Sequence, residues 1–228
     1  MYNTKTDFNK YATKHMGVSS LYLEDFQNSM TPHILEERPM RANLMSVFDR
    51  LMQDRIIWVA GPIGDGMSQI IQAQLMYLAN SEPNKDITMH LDGPGGSVVA
   101  GLSIIDTMDY IPCDVRTINT GMCASMDSVL LGAGTKGKRQ SLRFSRTMLH
   151  FSSGGAVGNL QDAEVSMKEW RKYNTQLFHL LGEYSGKDPK QVKKDCNRDF
   201  WLDSEETLAY GLIDEVIKPK KKKTEEVK

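Results

Sequence analysis

Short β-rich runs alternating with longer segments of helical periodicity predict an α/β fold, a mainly parallel sheet covered by helices. Two further observations support it. Glycine-rich turns follow the β-rich runs, as at strand-to-helix junctions, and a chain of 228 residues with 40% hydrophobic residues can bury one substantial core. One domain with trimmings is expected.

The elements follow in order. Residues 1–31 are polar with little periodicity and read as a flexible leader or pro-segment, and a domain is expected over 32–217. "LMSVFDRLMQ" (44–53) spaces its apolar residues as a helix does, and "RIIWVAG" (55–61) is a strand ended by "GPIGDG". "MSQIIQAQLMYLANSE" is helical, "DITMHL" (86–91) a strand, "DGPGGS" a turn and "VVAGLSIIDTMDYI" a helix. "DVRTINT" (114–120) is a strand leading through "GMCAS" into the helix "ASMDSVLLGAG". Strand-like "QSLRF" and "RTMLHFSS" precede a Gly-Gly break and a long helix from about Leu160 to Tyr184. "DPKQVKKDCNRD" starts a helix with Asp188 as N-cap and Pro189 in the first turn, and "DSEETLAYGLIDEVI" gives a helix, a turn and a strand. The Lys-rich end, 218–228, reads as a solvated tail.

Composition narrows the function. A formal net charge of −1 argues against a dedicated nucleic-acid binder. No apolar run is long enough to span a bilayer and no secretory signal opens the chain, so a soluble, intracellular, cytoplasmic protein is expected. Cys113, Cys123 and Cys196 form no CxxC pair, and the five histidines include no HExxH, so neither a disulfide framework nor a metal site is indicated.

In open α/β sheets the working groups lie beyond the carboxyl ends of the strands. "DGPGGS" and "GMCAS" occupy such places. Glycines there free backbone N–H groups for a developing oxyanion, and a serine at a helix start sits in a positive field. Ser125 is a helix cap, a packing residue or a nucleophile; "CASMD" is not a GxSxG elbow. His150, ending "RTMLH", is either a core histidine or a base for that serine. Asp199, in "CNRDFW", is either a cap or the group that orients the base.

"DGPGGSVVAGLSIIDTM", "TGMCASMDSVLLGAGTKGKR", "SRTMLH" and "NRDFWLDSEETLAYGLIDEV", in this order and spacing, resemble the proteolytic subunit of the Clp protease, ClpP. The resemblance runs from about Pro32 to Val216. It implies a ClpP/crotonase-like fold of repeated ββα units with a protruding handle, about 151–185, made of the long helix and a strand. It also implies a serine endopeptidase with Ser125 as nucleophile, His150 as base and Asp199 as orienting acid. Backbone N–H groups of Gly96 and Met126 would form the oxyanion hole. Two stacked heptamers, fed with unfolded polypeptide by a Clp-type AAA+ ATPase, are the implied assembly. No cofactor is expected in this subunit, ATP being used by the ATPase, and neither nucleic acid nor membrane is an expected partner.

By the same resemblance Asp162 and Arg198 fall where charges pair across the ring contact, and Tyr110, Thr88 and His90 where the ATPase docks. Thr88 and His90 make that pocket less aromatic than is usual, which suggests a divergent ATPase or a second, related ring subunit. Three other departures stand out: "HFSSGG" after the histidine, "DGPGG" in place of Asn-Ser before the proline, and Asp127 where a small residue is common. Asp127 is expected to face outward and support its helix N-terminus. The leader is expected to be cleaved between about Gln27 and Pro32. The alternative functional reading is a catalytically weak or regulatory ring subunit; a crotonase-type acyl-CoA enzyme and a Ser-Lys peptidase fit the motifs less well.

Overall fold

The computed structural model describes residues 13–14, 33–38, 41–152 and 159–219. The expected leader cleavage, the strand part of the handle and most of the Lys-rich tail lie outside these residues.

Strands β1 (His33–Arg38) and β2 (Arg41–Ser46) pair antiparallel, His33 opposite Ser46. The helix expected from residue 44 therefore starts later, as α1 (Val47–Gln53). Its start is set by Ser46: the hydroxyl accepts from Asp49 N–H while the Asp49 carboxylate accepts from Ser46 N–H, a reciprocal capping box.

There follow β3 (Ile56–Ala60), α2 (Asp65–Ser81), β4 (Ile87–Gly93), α3 (Val98–Tyr110), β5 (Val115–Ala124) and α4 (Met126–Gly132). β3, β4 and β5 are adjacent and parallel. Their inward residues Ile57, Val59, Ile87, Met89 and Leu91 are buried against α2, α3 and α4, which contribute Ile71, Leu75, Ile104, Leu130 and Leu131. This is the core of repeated strand-and-helix units. The alternating burial along β4 leaves Thr88 and His90 half-exposed on the other face.

β5 is ten residues long and forks. Its first half, Thr117–Asn119, pairs in parallel with β6 (Arg139–Leu142), and its second half, Met122–Ala124, with β7 (Arg146–Leu149). The "GMCA" stretch expected to be a loop is thus strand: β7 supplies its ladder on one side, and the Asp92 carboxylate accepts from Met122 N–H on the other. Gly121 makes room for that carboxylate, since a β-carbon there would stand 2.5 Å from Asp92 Oδ1. The serine follows directly on the strand end.

The long helix α5 (Leu160–Ser185) is capped by the Asn159 side chain, which accepts from Asp162 N–H, and ends at Gly186 in the left-handed conformation. Only its C-terminal third buries residues, Leu177, Phe178, Leu181 and Gly182. Residues 160–169 are exposed apart from the half-buried Ala163. α6 (Pro189–Asp195) is capped by Asp188 as expected but is shorter than read; the chain then turns into β8 (Phe200–Leu202), antiparallel to β7. α7 (Ser204–Tyr210) and β9 (Glu215–Ile217) close the fold, β9 lying parallel to β6 at the sheet edge. Among the described residues no helix is long and apolar enough to cross a membrane.

Candidate active site

Ser125 sits at the junction of β5 and α4 with φ 54° and ψ −120°, a backbone conformation uncommon for a residue with a side chain. Three hydrogen bonds hold it there. Its N–H donates to Met148 O at 2.9 Å, and its C=O accepts from Ser128 N–H at 3.1 Å and from the Ser128 hydroxyl at 2.6 Å. Such strain persists only where the surroundings over-determine it. The Ser125 side chain makes no capping hydrogen bond, which removes the cap from the three roles that the sequence left open. Instead its Oγ lies 2.8 Å from His150 Nε2.

His150 is brought there by β7, whose pairing with β5 runs Met122 to Arg146 through Ala124 to Met148. The next two residues carry the imidazole past the strand end to the serine. Asp199 arrives from the opposite direction. In the antiparallel pairing of β7 with β8, Leu149 lies opposite Phe200, so the residues just beyond, His150 and Asp199, are neighbours. Asp199 Oδ1 stands 3.6 Å from His150 Nδ1, beyond hydrogen-bond length, and its side chain is 65% exposed. It lies just before β8, four residues beyond the end of α6, rather than at a helix end.

The "DGPGGS" turn packs directly on the serine. Ile63 N–H donates to Gly95 O and Ser97 N–H to Ile63 O, both at 2.8 Å, which pins the turn to the chain after β3. Gly95 and Gly96 have φ of 87° and 154°. A β-carbon on Gly95 would fall 2.7 Å from Ser125 Cβ and from Met126 N, and one on Gly96 would fall 2.2 Å from Ile63 O. Only glycine fits either place. The Met126 N–H belongs to the first turn of α4, where a helix has no acceptor of its own. Gly95 thus packs on Ser125 and Met126, and the Gly96 N–H follows it in the same turn.

Beside Ser125 and His150 opens a pocket lined by Val98, Val129, Leu149, Leu177, Phe178 and Leu181. Its apolar walls come from α3, α4, β7 and the buried end of α5, so the base of the long helix forms part of the site. Ser152 fixes that side: its N–H donates to the Asn174 side chain and its hydroxyl accepts from Trp170 Nε1–H at 2.5 Å. The departure "HFSSGG" is therefore built into the wall of the cleft as far as Ser152, residues 153–158 being outside the description.

Asp127 overturns its expectation. The side chain is 1% exposed, and Oδ2 accepts from Gly95 N–H at 3.1 Å. Local preference for an acid near a helix start gave the outward orientation; a tertiary partner 32 residues away draws it inward. Burial pushes its carboxyl up from the ordinary 3.8 to about 7, against the Gly95 hydrogen bond and with a small push from Asp92. Cys123, two residues before Ser125, is fully buried, and burial raises its thiol well above the ordinary value, so it is a packing residue and not a nucleophile.

The other expected positions lie away from the cleft. Asp162 is in the exposed first turn of α5, bonded to Asn159, and Arg198 is exposed beside Asp199; among the described residues the two do not pair with each other. Tyr110 ends α3 and is 77% exposed. His90 stacks on Trp58 of β3, its register partner, with ring centroids 5.0 Å apart and planes 9° from parallel. Sequence reading missed Trp58, which restores an aromatic ring beside Thr88 and His90; the period-2 pattern of "RIIWVAG" placed it on that face. Burial lowers the His90 pKa.

Comparison with known proteins agrees with this architecture. The family model described as Clp protease matches residues 39–220. The chain is 47% identical to the ATP-dependent Clp protease proteolytic subunit of Porphyromonas gingivalis over 95% of its own length and 99% of that protein's. It is 46% identical to the proteins of the same name from Bacteroides fragilis strain YCH46 and 45% identical to that from Bacteroides thetaiotaomicron, each over 92% of this chain and 98% of the relative. With a matching mixed α/β fold and nearly full-length coverage, the chain belongs to the Clp protease family of serine-type peptidases.

Proposed function

We propose that this chain is the proteolytic subunit of an ATP-dependent Clp protease, a serine endopeptidase that hydrolyses unfolded polypeptides in the cytoplasm. The observation that carries the proposal is the 2.8 Å contact between Ser125 Oγ and His150 Nε2 at a strained strand-to-helix junction. His150 takes the proton as Ser125 attacks the peptide carbonyl, and passes it to the leaving amine. Asp199 steadies the imidazolium that forms. The oxygen of the tetrahedral intermediate is held by the Gly96 and Met126 N–H groups, and the apolar pocket takes the side chain that precedes the cleaved bond. Water then hydrolyses the acyl-enzyme. The subunit needs no cofactor for this chemistry; ATP is consumed by the partner ATPase.

The assembly follows the family, two stacked heptameric rings around a chamber. Leu160 and Met167, seven residues apart on one face of the exposed start of α5, are 75% and 42% exposed, an apolar pair suited to burial against another copy. Asp162 and Arg198 would pair with charges of neighbouring subunits, and Arg198 adjoins Asp199. The docking surface for a Clp-type AAA+ ATPase would comprise Tyr110, Thr88, His90 and Trp58. The alternative of a structural ring subunit has no observation in its favour.

The test is hydrolysis of a short fluorogenic peptide by the purified protein beside Ser125→Ala, with assembly followed by light scattering. Activity lost in the variant while rings persist supports the reading; equal activity in both overturns it.

A further inference from the structure

Asp127 is costly where it stands. Its Oδ1 is buried without a hydrogen-bond partner, and among the described residues no cation pairs with it. The ionisable groups facing it are the Asp92 carboxyl at the end of β4 and the Cys123 thiol of β5. Its slot exists only because residue 93 is glycine: a β-carbon there would fall 2.1 Å from Asp127 Oδ2. Two of the departures noted in the sequence, "DG" before the proline and Asp127 after Met126, are thus one feature in space. Among the described residues, that feature is hydrogen-bonded to the site through the Gly95 N–H. Gly95 in turn lies against Ser125 and Met126, and the next N–H along the chain is that of Gly96.

We propose that Asp127 is a positioning residue for peptide hydrolysis, fixing through Gly95 the turn that presents the Gly96 N–H to the tetrahedral intermediate. The inference rests on Ser125 being the nucleophile. It predicts two effects of different sign. As an acceptor, the Asp127 oxygen holds the turn, a role that a neutral amide also fills. As an anion, the same group sets a buried negative charge behind the developing oxyanion and opposes it. The carboxyl should therefore serve best while protonated, and its pKa of about 7 puts the change near neutral pH.

The experiment measures kcat and KM for a fluorogenic peptide between about pH 6 and pH 8, using the assembled protein, Asp127→Asn, Asp127→Ala and Ser125→Ala, with light scattering on each. Loss of one oxyanion donor costs roughly 10²–10³ in kcat, so a misplaced one should cost about 10- to 100-fold. Asp127→Ala is expected to show that loss with KM within about threefold and assembly intact. Asp127→Asn should stay within about threefold of the parent near pH 6, and the ratio of parent kcat to Asn kcat should fall at least threefold by pH 8, since His150 is common to both. Where Asp127→Ala fails to assemble, the pH dependence of the parent-to-Asn ratio decides, since a β-carbon on Gly93 would also fall 2.6 Å from the Gly61 carbonyl oxygen and disturb more than the carboxyl. Hydrolysis lost in Ser125→Ala but unchanged in Asp127→Ala, or a parent-to-Asn ratio flat with pH, overturns this inference alone. Hydrolysis that survives in Ser125→Ala overturns the reading of Ser125 together with it.

Discussion

Asp199 Oδ1 and His150 Nδ1 are 3.6 Å apart, while the other nitrogen of the same imidazole is already in contact with Ser125. The imidazole is thus in contact with Ser125 but beyond hydrogen-bond length of Asp199. In the proposed triad Asp199, with its side chain 65% exposed, would act through water-screened electrostatics rather than a buried hydrogen bond. Asp199→Asn should therefore lower kcat by about 10²–10³, less than the roughly 10⁴ seen when a buried triad aspartate is replaced. Steady-state kinetics on assembled rings check it. A loss of 10⁴ or more would mean that assembly or substrate closes the gap, burying Asp199 against His150.

The strain at Ser125 carries its own prediction. A non-glycine residue in such a conformation costs of the order of 1–3 kcal/mol, and glycine adopts it freely. Ser125→Gly should be inactive yet more stable than Ser125→Ala, by about 1 kcal/mol, because both lose the hydroxyl and only one releases the strain. Thermal unfolding of the two variants at equal concentration compares them. A glycine variant less stable than the alanine variant would show that the three hydrogen bonds to residue 125 carry no strain.

The strand and helix alternation between residues 55 and 134 was legible because each element has its own periodicity. Where the structure departs from it, a distant partner decides. "GMCA" looks like a loop since glycine and small residues form poor isolated strands, but β7 and Asp92 complete its ladder. β8 is three residues long, too short for any periodic signal, and without it the closeness of Asp199 to His150 could come only from family resemblance. The serine was visible as a residue at a junction; its φ of 54° was not, because it arises from Met148 and Ser128 closing around it. Asp127 faces inward for the same kind of reason, a partner beyond the reach of local preference.

Arg139, with its side chain 4% exposed, donates to both oxygens of Asp214, at 2.6 and 2.9 Å, and to Tyr184 O at 2.8 Å. It thereby ties the sheet edge to the base of α5. Burial alone would raise the Asp214 carboxyl, but the Arg139 hydrogen bonds outweigh it and hold the pKa below the ordinary 3.8. Removing one partner strands a buried charge, so Asp214→Ala should destabilise the fold by about 3–5 kcal/mol. In the parent the contribution is fully present above the ordinary carboxylate range and is lost as pH falls through the lowered value. Denaturant unfolding at matched protein concentration reads the difference, and a change below about 1 kcal/mol would contradict the role assigned to the pair.

Asp127 should act on stability in the opposite sense. Its carboxyl titrates near 3.8 when unfolded and near 7 when folded, so between those values the folded chain holds a proton that the unfolded chain has released. Stability therefore falls as pH rises from about 4 to about 7 and stays low above. The ceiling on the effect is roughly 4 kcal/mol, and water reaching the site would reduce it. Asp127→Asn has no such titration. The Asn variant should gain on the parent between about pH 5 and pH 8, by a margin of a few kcal/mol in denaturant unfolding. A parent-to-Asn difference independent of pH would mean that the carboxylate is ionised throughout, and that the turn beneath Gly95 is held by a charge rather than by a neutral acid.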